Sequence, residues 1–216
     1  MSCVITEEKL SELEERIRPY LKQKRYAHTL AVAREAERLG RAFLPEKVMK
    51  LRAAALLHDI TKKDDLEKQL QYCREFGIIY CNADLLSPKT FHARTAAGVA
   101  GRDFSDVTDP EILSGIRWHT TGHDGMTDFE AIIYLADYIE ETRTFPDCVA
   151  LREFFYDGKE RDACGMLRHF TETMIRSFDL TVENLISEGM QIDADTIAAR
   201  NYYIRKLRCP DGPCGQ

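Results

Sequence analysis

The sequence predicts an all-α fold, and three observations predict it. Apolar residues recur at helical spacing along most of the chain, strand-like alternation is almost absent, and helix start and stop residues punctuate the periodic segments. The chain has 216 residues, enough for one large domain or a domain with an appendage. Hydrophobic residues make up 44% and charged residues 31%, the balance of an ordinary globular protein, so a buried core is expected.

Thr6, with Glu8 and Lys9 behind it, opens a helix to about residue 22 with Leu10, Leu13 and Ile17 on one face. A second helix spans residues 25–44; its stripe is Ala27, Leu30, Ala31, Ala36 and Leu39, and His28 lies beside it. Pro45 starts a third helix, where a missing N–H costs least, and that helix ends at His58-Asp59. Asp64 or Asp65 caps a fourth, through Phe76, and residues 82–88 read as a loop. The Ala-rich segment 91–102 carries His92, and Asp109-Pro110 starts a helix over 111–119. Two glycines within four residues make 120–126 a turn. Thr127 or Asp128 caps a helix over 129–141, and Pro146 prevents its continuation. Helices over 149–156, 160–178 and 181–208, the last broken near Gly189, complete the chain.

The net charge of −6 argues against broad nucleic-acid binding. A phosphate substrate would have to be drawn in by a metal or by a local group of Lys and Arg. The first residues lack the basic start and apolar core of a signal peptide, and no apolar run approaches the ~20 residues of a membrane span. The seven cysteines stand at 3, 73, 81, 148, 164, 209 and 214, with no paired Cys-x-x-Cys, so they read as reduced thiols in a cytoplasmic protein. Cys209 and Cys214 could pair or bind a soft metal, but a frayed tail is the simpler reading. No Gly-x-x-x-x-Gly-Lys-Ser/Thr loop is present, which removes a P-loop nucleotidase.

The chemistry centres on Leu51-Arg-Ala-Ala-Ala-Leu-Leu-His-Asp59, a helix whose buried end carries His58 and Asp59. Burying a charged Asp is costly unless it is paired or coordinates a metal. His28, His58, His92 and His119 come from different expected helices, and Asp59 and Asp137 join them. Asp137 interrupts the apolar run Ala131-Ile-Ile-Tyr-Leu-Ala136 and needs a partner there. A buried salt bridge with an Arg is the alternative to a metal; the histidines favour the metal. His and carboxylate donors without thiolate suit Fe, Mn, Co, Ni or Zn. Arg25 stands one helical turn before His28, Lys62 three residues after Asp59, and Arg143 just after the Asp137 helix. All three could neutralise phosphate oxygens, against the alternative of solvated surface cations, which is the reading for Lys63. His123 reads as a turn residue at the edge of the site and His169 as structural.

The segments Arg25-Tyr-Ala-His28, His58-Asp-Ile-Thr-Lys62, His119-Thr-Thr-Gly122 with Met126, and Ala136-Asp-Tyr-Ile-Glu-Glu-Thr-Arg143 resemble the HD-domain superfamily of metal-dependent phosphohydrolases. Within it they are similar to the bacterial YqeK-type symmetrical diadenosine tetraphosphate hydrolases, over about residues 24–155. The resemblance implies an HD-domain helical bundle: an N-terminal helix over 1–23, the HD phosphohydrolase domain over 24–178, and a C-terminal helical extension with a Cys-containing tail over 179–216. It implies a first metal, iron by expectation, on His28, His58, Asp59 and Asp137. Asp59 could bridge to a second ion on His92 and His119; with one ion, those two histidines would touch phosphate. Asp59, Lys62, His92 and His119 are the implied catalytic residues. Arg25, Lys62, His92, His119, Thr121, Met126 and Arg143 are the implied substrate contacts, Thr121 and Met126 through the 120–126 turn. The implied reaction is attack of metal-bound hydroxide on an inner phosphorus, giving two ADP. Another HD phosphohydrolase, acting on nucleoside monophosphates, guanosine polyphosphates or cyclic dinucleotides, and a non-catalytic nucleotide-binding protein are the alternatives. The expected partner is a small dinucleotide, with no nucleic acid and no membrane, and a homodimer is left open.

Overall fold

The computed structural model describes residues 4–82, 84–157 and 162–209. Among these residues there are ten α-helices, joined by turns and short 3-10 segments, and no strand. The expected all-α fold is therefore the observed one. Cys214 and the expected helix start at Glu160 lie outside the described residues.

Local sequence accounts for most helix ends. Thr6 caps α1 (Glu7–Ile17) by accepting from the Lys9 N–H, and Leu10, Leu13 and Ile17 are its buried face. α2 (Gln23–Phe43) follows, and Pro45 starts a 3-10 turn that leads into α3 (Val48–Leu57). Asp65 caps α4 (Leu66–Phe76), which closes on Gly77 in the left-handed conformation. α5 (Phe91–Asp103) precedes α6 (Pro110–Trp118), where Asp109 caps and Pro110 takes the first helical position. α7 (Asp128–Ile139) opens with a full capping box between Thr127 and Glu130.

The core forms around α3. Leu51, Ala53, Ala54, Ala55, Leu56 and Leu57 are all fully buried, so this helix has almost no solvent face. A helix with so much apolar surface has to be surrounded, and α1, α2, α6 and α7 pack on it. Its alanines let neighbours approach closely, while each buried leucine contributes about 1.5–3 kcal/mol of transfer free energy. The consequence for function is positional: the C-terminal end of α3, with His58 and Asp59, is delivered into the middle of the bundle.

The C-terminal part departs from expectation. Pro146 does more than end the preceding helix; it is the first residue of α8 (Pro146–Phe155). The expected break after Phe178 is absent: α9 (Ala163–Ser187) runs straight through position 178, because Asp179, Leu180 and Thr181 offer neither Gly nor Pro to stop it. The break falls at Gly189, with φ +63°, before Asp193 caps α10 (Ala194–Arg208). Met174, Phe178, Ala199 and Tyr203 are buried in the same core as α3, and Tyr134 of α7 stacks on Phe178 at 4.6 Å. No helix is long and apolar enough to cross a membrane.

Gly122 locks this C-terminal pair to the turn after α6. Its φ is +62°, and an added Cβ would stand 2.8 Å from Met126 Sδ and 2.9 Å from both Ala199 Cβ and Phe178 Cζ. Arg205 to Asp124 and Lys206 to Asp128 bind the same turn from α10. Gly122→Ala combines a left-handed backbone with overpacking, so it is expected to lower stability by roughly 2–4 kcal/mol in urea unfolding. A loss below about 0.5 kcal/mol, the scale of an ordinary surface substitution, would show that the turn relaxes freely.

Candidate active site

Five helices deliver the ionisable cluster. His28 comes from α2, His58 and Asp59 from the end of α3, His92 from the first turn of α5, His119 from the end of α6 and Asp137 from α7. The structure brings all six together. His28 Nε2 is 2.9 Å from Asp137 Oδ1, and His58 Nε2 is 3.3 Å from Asp59 Oδ2 and 3.7 Å from Asp137 Oδ1. On the other side of Asp59, Oδ1 is 3.1 Å from His92 Nε2 and 3.6 Å from His119 Nε2. The ring nitrogens of His92 and His119 lie 3.0 Å apart.

The other nitrogen of each ring decides what these atoms can do. Nδ1 of His58 lies 2.6 Å from Ala55 O, Nδ1 of His92 2.7 Å from Lys89 O, and Nδ1 of His119 2.7 Å from Ile116 O. Nδ1 of His28 lies 3.0 Å from Glu140 Oε1. A carbonyl or carboxylate can only accept, so each Nδ1 carries the hydrogen. In the neutral rings every Nε2 therefore offers a lone pair to the shared space. His28 Nε2, His58 Nε2 and Asp59 Oδ1 are moreover buried without a well-directed hydrogen bond. Buried orphan donor and acceptor atoms are rare, and ones of ligand type facing each other fit a divalent cation. Two sets have their ligand atoms within 4.8 Å of one another: His28, His58 and Asp137, and His58, Asp59 and His119. His92 stands beside the second set, with Lys62 Nζ 3.0 Å and Thr120 Oγ1 3.2 Å from its Nε2.

Burial and charge set the protonation states. Burial alone would raise the Asp59 carboxyl, but the surrounding His58, His119 and His92 rings outweigh it and hold it well below the usual range. Asp137 is held well below its ordinary value, with Arg143 and His28 overcoming burial. Burial, then Lys62, pushes His92 down to about 4, and burial lowers His119 as well, so both rings are neutral at pH 7. His28 goes the other way: burial lowers it, but Asp137 and Glu140 prevail and raise it to about 9.

The cluster opens into a cleft of about 370 Å³ through His119 and Asp137. Lys62, Thr120, Thr121 and Arg143 line the cleft beside them. Lys62 is buried enough that desolvation lowers its pKa, and it points at the His92 ring. Arg143 donates to Asp137 Oδ1 and to the Asp137 carbonyl at 2.5 Å each. The salt bridge that the sequence offered as the alternative for Asp137 is thus formed, alongside its contact with His28. Arg25 donates to Asp59 Oδ2 at 2.8 Å and is not among the residues lining the cleft. Neither is Met126, which is buried in the core beneath Gly122. His123 pairs with Glu130 at 3.1 Å and leans on Trp118, fastening the turn, while His169 lies against the Phe154 and Phe155 carbonyls.

Two features escaped sequence reading. Glu140, fully buried on His28, had a signal: it lies one helical turn after Asp137. The far wall of the cleft comes from Tyr138, Phe145, Asp147, Asn184 and Glu188, on α7, α8 and α9, and no local pattern marks those residues.

Comparison with known proteins agrees with this geometry. The HD domain family profile matches residues 25–142, more than half of the chain and all six residues of the cluster. The symmetrical bis(5'-nucleosyl)-tetraphosphatase of Staphylococcus aureus is 33% identical over 185 residues, which is 85% of this chain and 88% of that protein. The protein of the same name from Bacillus subtilis is 30% identical over 190 residues, 87% of this chain and 94% of that one. A crystal structure from Clostridium acetobutylicum, described as a predicted HD superfamily hydrolase involved in NAD metabolism, superposes with a TM-score of 0.79 at 31% identity. The match covers 91% of this chain and 97% of that one.

The protonation pattern predicts how metal uptake responds to pH. His28 holds a proton up to about pH 9 in the metal-free protein, and a metal on Nε2 has to displace it. Affinity measured by chelator competition should therefore rise with pH, about tenfold per unit for one displaced proton, and level off near pH 9. The sign is the reverse for metal-free stability. The charged-His28 contribution is complete below the unfolded value of about 6.5 and disappears as pH rises through about 9. Metal affinity independent of pH between 7 and 9 would contradict this protonation state.

Proposed function

The chain belongs to the HD domain family, and on that premise we propose that it hydrolyses diadenosine tetraphosphate symmetrically to two ADP with the help of a divalent transition metal. The observation that carries this reading is the convergence of His28, His58, Asp59, His119 and Asp137 beside a cleft that Lys62 and Arg143 line, in a chain aligned over most of its length with relatives named for that reaction. His28, His58, Asp59 and Asp137 would hold the first ion, iron being the expected one, and Asp59 with His92 and His119 would serve a second. A divalent ion there would supply a Lewis acid and would lower the pKa of a water toward neutral pH.

The chain's own residues then have distinct tasks. Lys62 and Arg143 line the cleft next to the ligand atoms and put fixed positive charge where the phosphates would lie. Arg25 neutralises Asp59 from outside the cleft. Burial of His92 and His119 keeps both rings neutral and able to give a lone pair to a cation, and His92 also stays hydrogen-bonded to Lys62 and Thr120. Symmetric cleavage breaks the central anhydride: water adds to one inner phosphorus, one ADP leaves, and the attacked half departs as the second ADP. The description of the Clostridium relative suggests NAD as a competing substrate, since it also joins two nucleotides through a phosphoric anhydride.

Chromatography of a timed digest decides among these. Diadenosine tetraphosphate should yield ADP alone, with no accumulation of ATP and AMP. Equimolar ATP and AMP, faster cleavage of NAD, or turnover of a guanosine polyphosphate in place of this substrate would each displace the proposal.

Lys62 offers a second check, because an ammonium has no lone pair to give a metal. Lys62→Ala should keep the wild-type metal content and lose about 10- to 100-fold in kcat/KM, the equivalent of roughly 1.5–3 kcal/mol for a charge-assisted contact. Wild-type kinetics in this variant would remove Lys62 from the phosphate path.

A further inference from the structure

We infer that Glu140 is a positioning residue of the metal centre, acting on the metal through His28; the inference rests on the metal-site reading above. Three of the four histidines orient themselves. His58, His92 and His119 each give their Nδ1 hydrogen to the carbonyl three residues earlier in their own segment. His28 does not. It lies inside the regular stretch of α2, and its Nδ1 turns to a carboxylate on a different helix, Glu140 at 3.0 Å.

Glu140 is built for that contact. It has no solvent exposure, and it stands at the end of α7, where the backbone leaves the helix with ψ 153°. Its Oε1 also accepts from Thr142 Oγ1 at 2.7 Å, and its Oε2 accepts from the Thr142 N–H at 2.5 Å. The surrounding turn is held by Arg152 of α8, which donates to the carbonyls of Ile139, Glu140 and Arg143. One turn earlier on α7, Asp137 faces the opposite nitrogen of the same ring at 2.9 Å. Asp137 and Glu140 thus grip Nε2 and Nδ1 of His28 from one end of α7, which fixes both the direction in which Nε2 points and the register of α2 on α7.

A carboxylate on Nδ1–H does two things that a backbone carbonyl does less well. Its full charge strengthens the hydrogen bond, and it makes Nε2 a better electron-pair donor to a cation. Removing such a partner typically weakens metal binding about 10- to 100-fold. A fully buried carboxylate would otherwise be a poor choice at this place, since burial of a charge is costly unless it is paired.

The test uses the full chain, stripped of metal and titrated with cobalt(II) against a competing chelator. Glu140→Ala should weaken cobalt binding about 10- to 100-fold, and Glu140→Gln, which keeps an acceptor without the charge, by about 3- to 10-fold. The visible ligand-field bands of the cobalt-loaded variants should shift, because the orientation and donor strength of His28 change. A merely structural Glu140 would lower the unfolding midpoint of the metal-free variants and leave both affinity and bands as in wild type. That result in the folded alanine variant, or in the glutamine variant if alanine does not fold, overturns the inference. Failure of the wild-type chain to bind cobalt overturns the metal centre itself, and is recognisable because no variant is needed to see it.

Discussion

Ionised carboxylates inside a helical bundle are the constraint on which this structure turns. Asp59 and Glu140 are enclosed, and Asp137 keeps only 19% of its side chain exposed, at the cleft. Each would be costly alone. Each is answered by a group from another segment: Arg25 and the histidines for Asp59, Arg143 and His28 for Asp137, His28 and Thr142 for Glu140. The partners come from α2, α5, α6 and the α7–α8 turn, so satisfying the charges also fixes how those helices sit around α3. Replacing one partner strands a buried charge, which is why the cluster behaves as a unit.

The same constraint explains why α3 is so plain. Its second half is Leu and Ala used for packing, while Lys50 and Arg52 in its first half pair with Asp109 and with Glu7. It ends where the chain must switch from apolar to ionic within two residues, Leu57 to Asp59. The metal reading uses this abrupt boundary. Burial keeps the His92 and His119 rings neutral, and Asp59 is kept charged by its neighbours, which is the donor state that a divalent cation requires.

Much of this was legible in the sequence, because its signals are local. Thr6, Asp65, Asp109 and Thr127 cap the helices they precede, and Leu10, Leu13 and Ile17 bury the face their spacing marks. The six ligand-type residues could be chosen by residue type, by the apolar runs they interrupt or end, and by the family resemblance, and the fold brings them together. What could not be read depends on contacts between distant segments. The resemblance implies that Met126 meets a ligand through the 120–126 turn, yet the crowding of Phe178 and Ala199 around Gly122 places it in the core. The sequence reading ends a helix at Phe178 and starts another at Thr181; burial of Phe178 against Tyr134 carries α9 through. Arg143 looked like a free hand for phosphate, but two of its nitrogens donate to Asp137.

The cleft is made by two stretches of the chain. Its floor of ligand atoms belongs to residues 25–142, while Phe145, Asp147, Asn184 and Glu188 in the facing wall lie beyond them. Floor and wall meet through the Gly122 turn and the aromatic stack of Tyr134, Phe178 and Tyr203. The arrangement is a division of labour along the polypeptide. Substitutions in the wall can reshape what the cleft admits without disturbing a single ligand atom, whereas substitutions in the floor alter the chemistry for every molecule that enters. Selectivity and reactivity are thereby free to drift on separate clocks.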